Sequence, residues 1–308
     1  MRALVKPPAL THGSAVSIVS TASPADPERL ARGRAELARL GYSLPPVKGG
    51  SSPAPSAQQR LNELLAALQR EELRAVIGAR GGYGTNYLVE TLDAEELIRP
   101  TILLGYSDIT ALQIFLWQTL GWVTFYGPMV ASGFDAGADA AGGYDSASFA
   151  RATTETAGGW TVDLRGESLV PGYAEGTVVG GCLTLVECSL GTPWELETGG
   201  TILLLEDRGM KLYQIDRALM HLKQAGKFGS VRAIVLGDFP ECGGPEGNDQ
   251  NVRDVCRRIL GELGLPVVWG APIGHTPRPM LTIPLGVRAR LHASGAGQLE
   301  FLEPAVKP

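Results

Sequence analysis

The sequence predicts an α/β protein of two domains, the first built on a parallel sheet with helices on both faces. Three observations support this. Between residues 15 and 121, buried apolar runs alternate with amphipathic helical patterns, as in strands joined by helical crossovers. From about 132 to 170 the composition shifts to Gly, Ala, Ser and Thr, the character of a connecting region with one short helix. Finally, 308 residues are more than one ordinary core accommodates. The expected boundary lies near 170, giving domains 1–170 and 171–308.

AVSIVST (15–21) reads as a buried strand. Residues 26–40 follow as an amphipathic helix, with a proline at its start and Gly41 as its stop. AQQRLNELLAALQREEL (57–73) is a second helix, and RAVIGA (74–79) a strand running straight into the glycine loop RGGYGT (80–85). TILLGYS (101–107) is a further strand, followed without a break by the helical pattern DITALQIFLWQTLG (108–121). Beyond the connecting region, residues 170–192 hold short apolar runs punctuated by glycine. TILLLED (201–207) is a strong strand, 213–226 a helix, 232–239 another strand, and 281–302 a hairpin or two short strands.

Composition narrows the function classes. With 44% apolar and 19% charged residues the chain is globular, and 40 glycines with 21 prolines imply many tight turns, where catalytic groups tend to sit. A net charge of −5 without a Lys/Arg run excludes an electrostatic footprint for nucleic acid or anionic lipid, so a small molecule or peptide is the expected partner. No stretch of about 18 apolar residues predicts a membrane helix. Pro7, Pro8, His12 and Gly13 interrupt any leader-like run. Cys182, Cys188, Cys242 and Cys256 form no C-x-x-C pair, which predicts reduced thiols, a cytoplasmic setting, and neither metal nor cofactor.

Four segments carry chemistry. In LLGYSDIT (103–110), Ser107 stands where a buried strand meets a helix, the geometry of a nucleophile elbow whose following amide helps bind an oxyanion. Only half of G-x-S-x-G is present, since Ile109 replaces the second glycine, and Ser107 or Asp108 acting as a plain helix cap explains the segment equally well. The loop RGGYG (80–84) lacks the lysine of a P-loop and the spacing of a dinucleotide fingerprint; it is either an amide donor to an oxyanion or a tight turn. His275, among the turn residues of WGAPIGHTPRP, is the one of four histidines placed to point into a cleft; His12, His221 and His292 read as bystanders. Glu206 and Asp207 end an apolar strand, where a carboxylate is costly unless paired. A histidine would supply that pairing, as would Arg208 or Arg217.

The ordered series RGGYG, GYSDIT, VTFYGPM, GGCLTLVECSLGTP, LLLED with YQIDRAL, and GH followed by TIPLG resembles the LD-carboxypeptidases from about residue 6 to 287. The resemblance implies a flavodoxin-like or amidotransferase-like first domain and a smaller, β-rich second one. It implies a triad with Ser107 as nucleophile, His275 as general base and Glu206 as its orienting partner. The oxyanion hole would be the backbone N–H groups of Asp108 and Gly82. Independently of the resemblance, Arg80 beside the glycine loop is expected to border the substrate with Gly81, since its guanidinium fork suits a carboxylate. The implied reaction is release of terminal D-alanine from a cytoplasmic muropeptide by a homodimer. Two residues depart from the family pattern: Met210 stands near a usual acidic residue, and Tyr126 where histidine is frequent. Two other readings remain, a relative of the microcin self-immunity peptidases acting on peptidyl- or aminoacyl-nucleotides, and a silent peptide-binding protein.

Overall fold

The computed structural model describes residues 4–45, 55–97, 99–243 and 249–308. In chain order the first half runs β1 (Ala15–Val19), α1 (Pro27–Arg39), α2 (Ala57–Leu68), β2 (Leu73–Gly78), α3 (Thr85–Thr91), β3 (Ile102–Gly105), α4 (Thr110–Leu120) and β4 (Thr124–Tyr126). There follow α5 (Ser146–Thr154), β5 (Trp160–Asp163), β6 (Glu167–Val170), β7 (Gly172–Cys182), α6 (Leu183–Cys188), β8 (Thr201–Glu206), α7 (Leu212–Gln224) and β9 (Ala233–Gly237). The chain ends with α8 (Asp249–Leu260), β10 (Val267–Ala271), β11 (Ile283–Leu285), β12 (Arg288–Ala293) and β13 (Gln298–Phe301).

Local chemistry accounts for the ends of the helices. Asp26 caps α1 by accepting the Arg29 N–H at 2.9 Å, with Pro27 at the first helical position. Ser56 and Gln59 form a reciprocal capping box at α2, and left-handed Gly121 ends α4.

Two sheets result. The first has the order β1-β2-β3-β4-β11, parallel through β4, with β11 antiparallel at its edge. The second has the order β5-β13-β12-β7-β8-β9-β10-β6, parallel across β7 to β10 and antiparallel on both flanks. The connecting region thus holds the expected short helix, α5, and also two strands that enter the second sheet. Of the expected terminal hairpin, β12 and β13 pair as foreseen, while β11 crosses to the first sheet.

The period-2 alternation of β7, β8 and β9 divides the interior. Val178, Ile202, Leu204, Ala233 and Val235 join a continuous core with the first sheet. Their neighbours Val179, Leu203, Leu205, Ile234 and Leu236 pack under α6, α7 and α8. Burial on both faces is why β8 and β9 read as near-continuous apolar runs. The ends of β3 and β8 are thereby presented to one another across the shared core. Among the described residues, no helix is long and apolar enough to cross a membrane.

Candidate active site

Strand β3 stops at Gly105, Tyr106 is extended, and Ser107 turns back with φ 63, opening a short 3-10 turn that leads into α4. A serine with positive φ is uncommon and persists only where its surroundings impose it. Here Ile109 presses onto the strand backbones: a Cβ on Gly78 or Gly105 would lie 2.1 or 2.5 Å from its Cδ1. The Gln113 amide then donates to the carbonyls of Gly105 and Phe125 at 3.0 and 2.9 Å, fixing α4 over the ends of β3 and β4. The close approach that a second motif glycine would allow is supplied by strand glycines, which is how Ile109 fits an elbow.

The glycine loop passes directly against this turn. A Cβ on Gly81 would stand 2.9 Å from the Ser107 hydroxyl, and one on Gly82, where φ is 121, would strike Ser23 Oγ at 2.3 Å. Ser23 Oγ accepts the Tyr83 N–H at 3.1 Å. Buried Asp108 accepts the Thr85 N–H at 2.7 Å, so its side chain ties loop and elbow together, and burial pushes its carboxyl up. The backbone N–H of Asp108 lies in the first helical turn, where donors have no intrahelical acceptor. Exposed Arg80 is engaged with the chain itself, its guanidinium donating to the Pro24 carbonyl at 3.1 Å.

Glu206 ends β8 with no exposure to solvent. Its Oε2 accepts the backbone N–H of His275 at 2.8 Å and faces the ring Nδ1 at 2.9 Å, while Oε1 accepts the Tyr126 hydroxyl at 2.5 Å. Against a carboxylate Nδ1 carries the proton, which leaves Nε2 as the basic nitrogen. Glycines permit this crowding: a Cβ on Gly274 would fall 2.3 Å from the Glu206 carboxyl carbon, and one on Gly237 2.7 Å from its Cβ. The loop bearing His275 is anchored by Arg278, which donates to Asp238 and to the Arg165 carbonyl. Burial is the largest single influence on the His275 ring and opposes its cation. The charge and hydrogen bond of Glu206, with Asp207 behind it, outweigh burial and hold the ring above the ordinary imidazole value.

The expected residues therefore meet in part by direct contact. Glu206 and His275 are bonded, and neither Arg208 nor Arg217 takes the carboxylate: Arg208 pairs with Glu241 at 2.6 Å and Arg217 lies over the Tyr213 ring. The Tyr106 ring meets the His275 ring edge-on at 5.0 Å, bringing the imidazole beside the residue that precedes Ser107. The Ser107 N–H in turn reaches the Tyr126 hydroxyl at 3.4 Å. Among the described residues no hydrogen bond joins the Ser107 side chain to His275. His221 pairs with Glu187 and His292 packs on Tyr173, both away from this cluster. Met210 Sδ lies 3.8 Å from the Thr184 hydroxyl, whose one proton goes to Asp207 at 2.7 Å. Sequence reasoning missed the contacts of Tyr106 and Tyr126; the available signal was a tyrosine inside a buried strand, whose hydroxyl needs a partner. A carboxylate–imidazole pair beside a strained serine and a loop of glycine amides suits nucleophilic acyl transfer.

Two family models match the chain. The LD-carboxypeptidase N-terminal domain matches residues 16–127 and the LD-carboxypeptidase C-terminal domain residues 175–291. The chain belongs to the LD-carboxypeptidase family. It is a serine-type carboxypeptidase, a peptide hydrolase. A probable murein peptide carboxypeptidase of Bacillus subtilis is 36% identical to the enzyme over 298 residues, 94% of this chain and 92% of that one. The crystal structure of a muramoyltetrapeptide carboxypeptidase from Oxalobacter formigenes superposes with a TM-score of 0.81 at 28% identity, covering 94% of this chain and 99% of the other. The self-immunity protein MccF in complex with aspartyl sulfamoyl adenosine superposes with a TM-score of 0.88 at 26% identity, covering 98% and 100%.

Proposed function

We propose that the enzyme releases the terminal D-alanine from murein tetrapeptide through an acyl-enzyme on Ser107. His275 Nε2 takes the hydroxyl proton as Ser107 attacks the carbonyl, and returns it to the departing amine. Glu206 holds the tautomer and stabilises the imidazolium. The backbone N–H groups of Asp108 and of the Gly81–Gly82 turn receive the oxyanion. Water then releases the shortened peptide. The observation that carries this reading is the buried Glu206 carboxylate bonded at 2.9 Å to His275 Nδ1, in a site that also holds the left-handed Ser107. The relative with 36% identity supports murein peptide as substrate. A cytoplasmic, homodimeric enzyme with Arg80 at the substrate's edge completes the proposal, and the 1–170 and 171–308 segments supply Ser107 and the Glu206–His275 pair respectively.

The test is D-alanine release from purified murein tetrapeptide by wild type and Ser107→Ala. Release by wild type, reduced on the order of 10⁴-fold or more in a folded Ser107→Ala, is the expected result. Release at equal rates would remove Ser107 as nucleophile. A second reading, hydrolysis of an aminoacyl-nucleotide, is favoured by the closer superposition on MccF. It is tested by offering aspartyl sulfamoyl adenosine to the same two proteins; cleavage of that compound with no release from tetrapeptide would replace the murein assignment.

A further inference from the structure

Tyr126 lies where the two sheets meet. Its backbone belongs to β4 of the first sheet, and its hydroxyl donates to Glu206 Oε1, at the end of β8 in the second, at 2.5 Å. The same oxygen accepts the backbone N–H of Ser107 at 3.4 Å. The side chain is fully buried, and the space for its ring depends on Gly181, where φ is 141 and a Cβ would come within 3.0 Å of the ring and 2.7 Å of Thr110. A phenol has one proton to give, and an ionised carboxylate can only accept. The proton therefore goes to Glu206, and the lone pairs face Ser107. Among the described residues Glu206 receives three donors, two on Oε2 from His275 and one on Oε1 from Tyr126. Gly274 closes on the carboxylate, since a Cβ there would sit 2.5 Å from Oε1, so removal of the phenol oxygen takes away the one donor that Oε1 has among the described residues.

We propose that Tyr126 is a positioning residue. Its hydroxyl fixes the plane of the Glu206 carboxylate so that Oε2 addresses His275, and it ties the serine turn to that carboxylate across the two sheets. The inference rests on the reading of Ser107, Glu206 and His275 as the catalytic set. A tyrosine that merely filled volume would be replaced by phenylalanine without functional consequence, because the ring is retained.

The groups that bear on the imidazole are Asp207 and Arg208 beyond Glu206, Glu241 paired with Arg208, and the Tyr106 ring that meets it edge-on. None of them changes in Tyr126→Phe. Loss of the phenol donor leaves more charge on the carboxylate, which His275 still meets through its own backbone and ring N–H groups, so deprotonation of the ring requires higher pH, while the looser carboxylate plane lowers kcat.

The experiment follows two readouts across pH: kcat and KM on murein tetrapeptide, and the rate at which a fluorophosphonate probe labels Ser107, which assumes no substrate. For Tyr126→Phe the expected result is an about tenfold or greater fall in kcat and labelling rate, the scale of one hydrogen bond to a charged group. KM stays within about twofold because no substrate contact is lost, and the acid limb moves to higher pH. Difluorotyrosine at position 126, a stronger donor of nearly the same size, moves the acid limb the opposite way, and is the deciding variant if Tyr126→Phe does not fold. Tyr144→Phe removes a buried phenol that donates to Glu36 at 2.7 Å away from this cluster, and leaves both readouts unchanged. An acid limb unmoved in Tyr126→Phe, or in the difluorotyrosine protein, overturns the proposal. Glu206→Gln separates the two levels of argument. If it keeps full labelling and turnover, the catalytic reading itself has failed; if it loses them while Tyr126→Phe behaves as wild type, only the positioning role has.

Discussion

Glu206 is an ionisable residue at the end of a six-residue strand with four apolar positions before it, and such a group is tolerated only when its lone pairs are used. Three donors use them, and the same bonds set the behaviour of His275. Burial alone would favour the neutral ring; the carboxylate reverses that, and the ring sits above its ordinary value. The general base proposed in His275 works in its neutral form, so the acid limb of kcat/KM for the wild type is expected above the ordinary imidazole value of about 6.5. In Glu206→Gln the raising influence is gone while burial remains, so the limb moves to lower pH as the plateau falls on the order of 10²- to 10⁴-fold. A pH profile of both proteins checks this, and a limb in the same place for each would detach His275 from Glu206. The stability linkage has a matching sign. A raised folded value means the His275 contribution is fully present below the unfolded imidazole value and fades as pH rises through the folded one. Unfolding by urea at several pH values should therefore show a pH-dependent gap between wild type and Glu206→Gln that narrows toward alkaline pH.

The turns, rather than the strands themselves, hold the site's geometry. Gly274 has φ 62 and a closed wall on its Cβ side, whereas Gly191 has φ 77 and nothing within 4 Å. The pair separates two costs of adding a methyl group. Gly191→Ala should lose only the left-handed backbone preference, roughly 1 kcal/mol. Gly274→Ala adds overpacking against Glu206, a further 1–3 kcal/mol or so, and displaces His275. Urea midpoints and turnover check the contrast; equal midpoints would show that the loop yields and that its glycine is not required by the carboxylate. This is also the scale at which legibility in the sequence divides. Strands β3, β8 and β9 were legible because burial on both faces writes an apolar run into each, and β1 and β2 keep most of one despite Ser17 and exposed Arg74. Strands β5 and β6 were not, because they are four-residue flanking segments inside a Gly/Ser/Thr-rich stretch, and β6 is exposed or half-exposed throughout. Ser107, Glu206 and His275 each stood at the end of a readable element. Tyr126 is in a three-residue strand whose importance comes from what it touches across the core.

At the level of the whole molecule the two sheets exchange chain. Residues 160–163 and 167–170 precede the composition boundary and pair in the second sheet, while β11, near the far end of the chain, completes the first. No local pattern in the sequence says which sheet β11 joins, since three residues pair with whichever edge the fold leaves open. The consequence is energetic. One apolar core runs from Leu10 to Val306 and takes residues from both sheets, so neither sheet keeps a complete interior without the other. Unfolding is then expected as a single transition, with calorimetric and van't Hoff enthalpies equal within error, rather than as two steps. Separate expression of 1–170 and 171–308 should give two poorly folded fragments: the first lacks the β11 edge beside β4, the second lacks β5 and β6 on its two flanks. Two resolved calorimetric transitions, or a fragment with native far-UV circular dichroism and cooperative melting, would overturn this. A single transition ties catalysis to global stability, because the Tyr126–Glu206 bond that spans the sheets cannot be lost by one half alone. Destabilising changes remote from the site, such as Leu222→Ala in the buried face of α7, should then lower the melting temperature and the temperature of half-inactivation together.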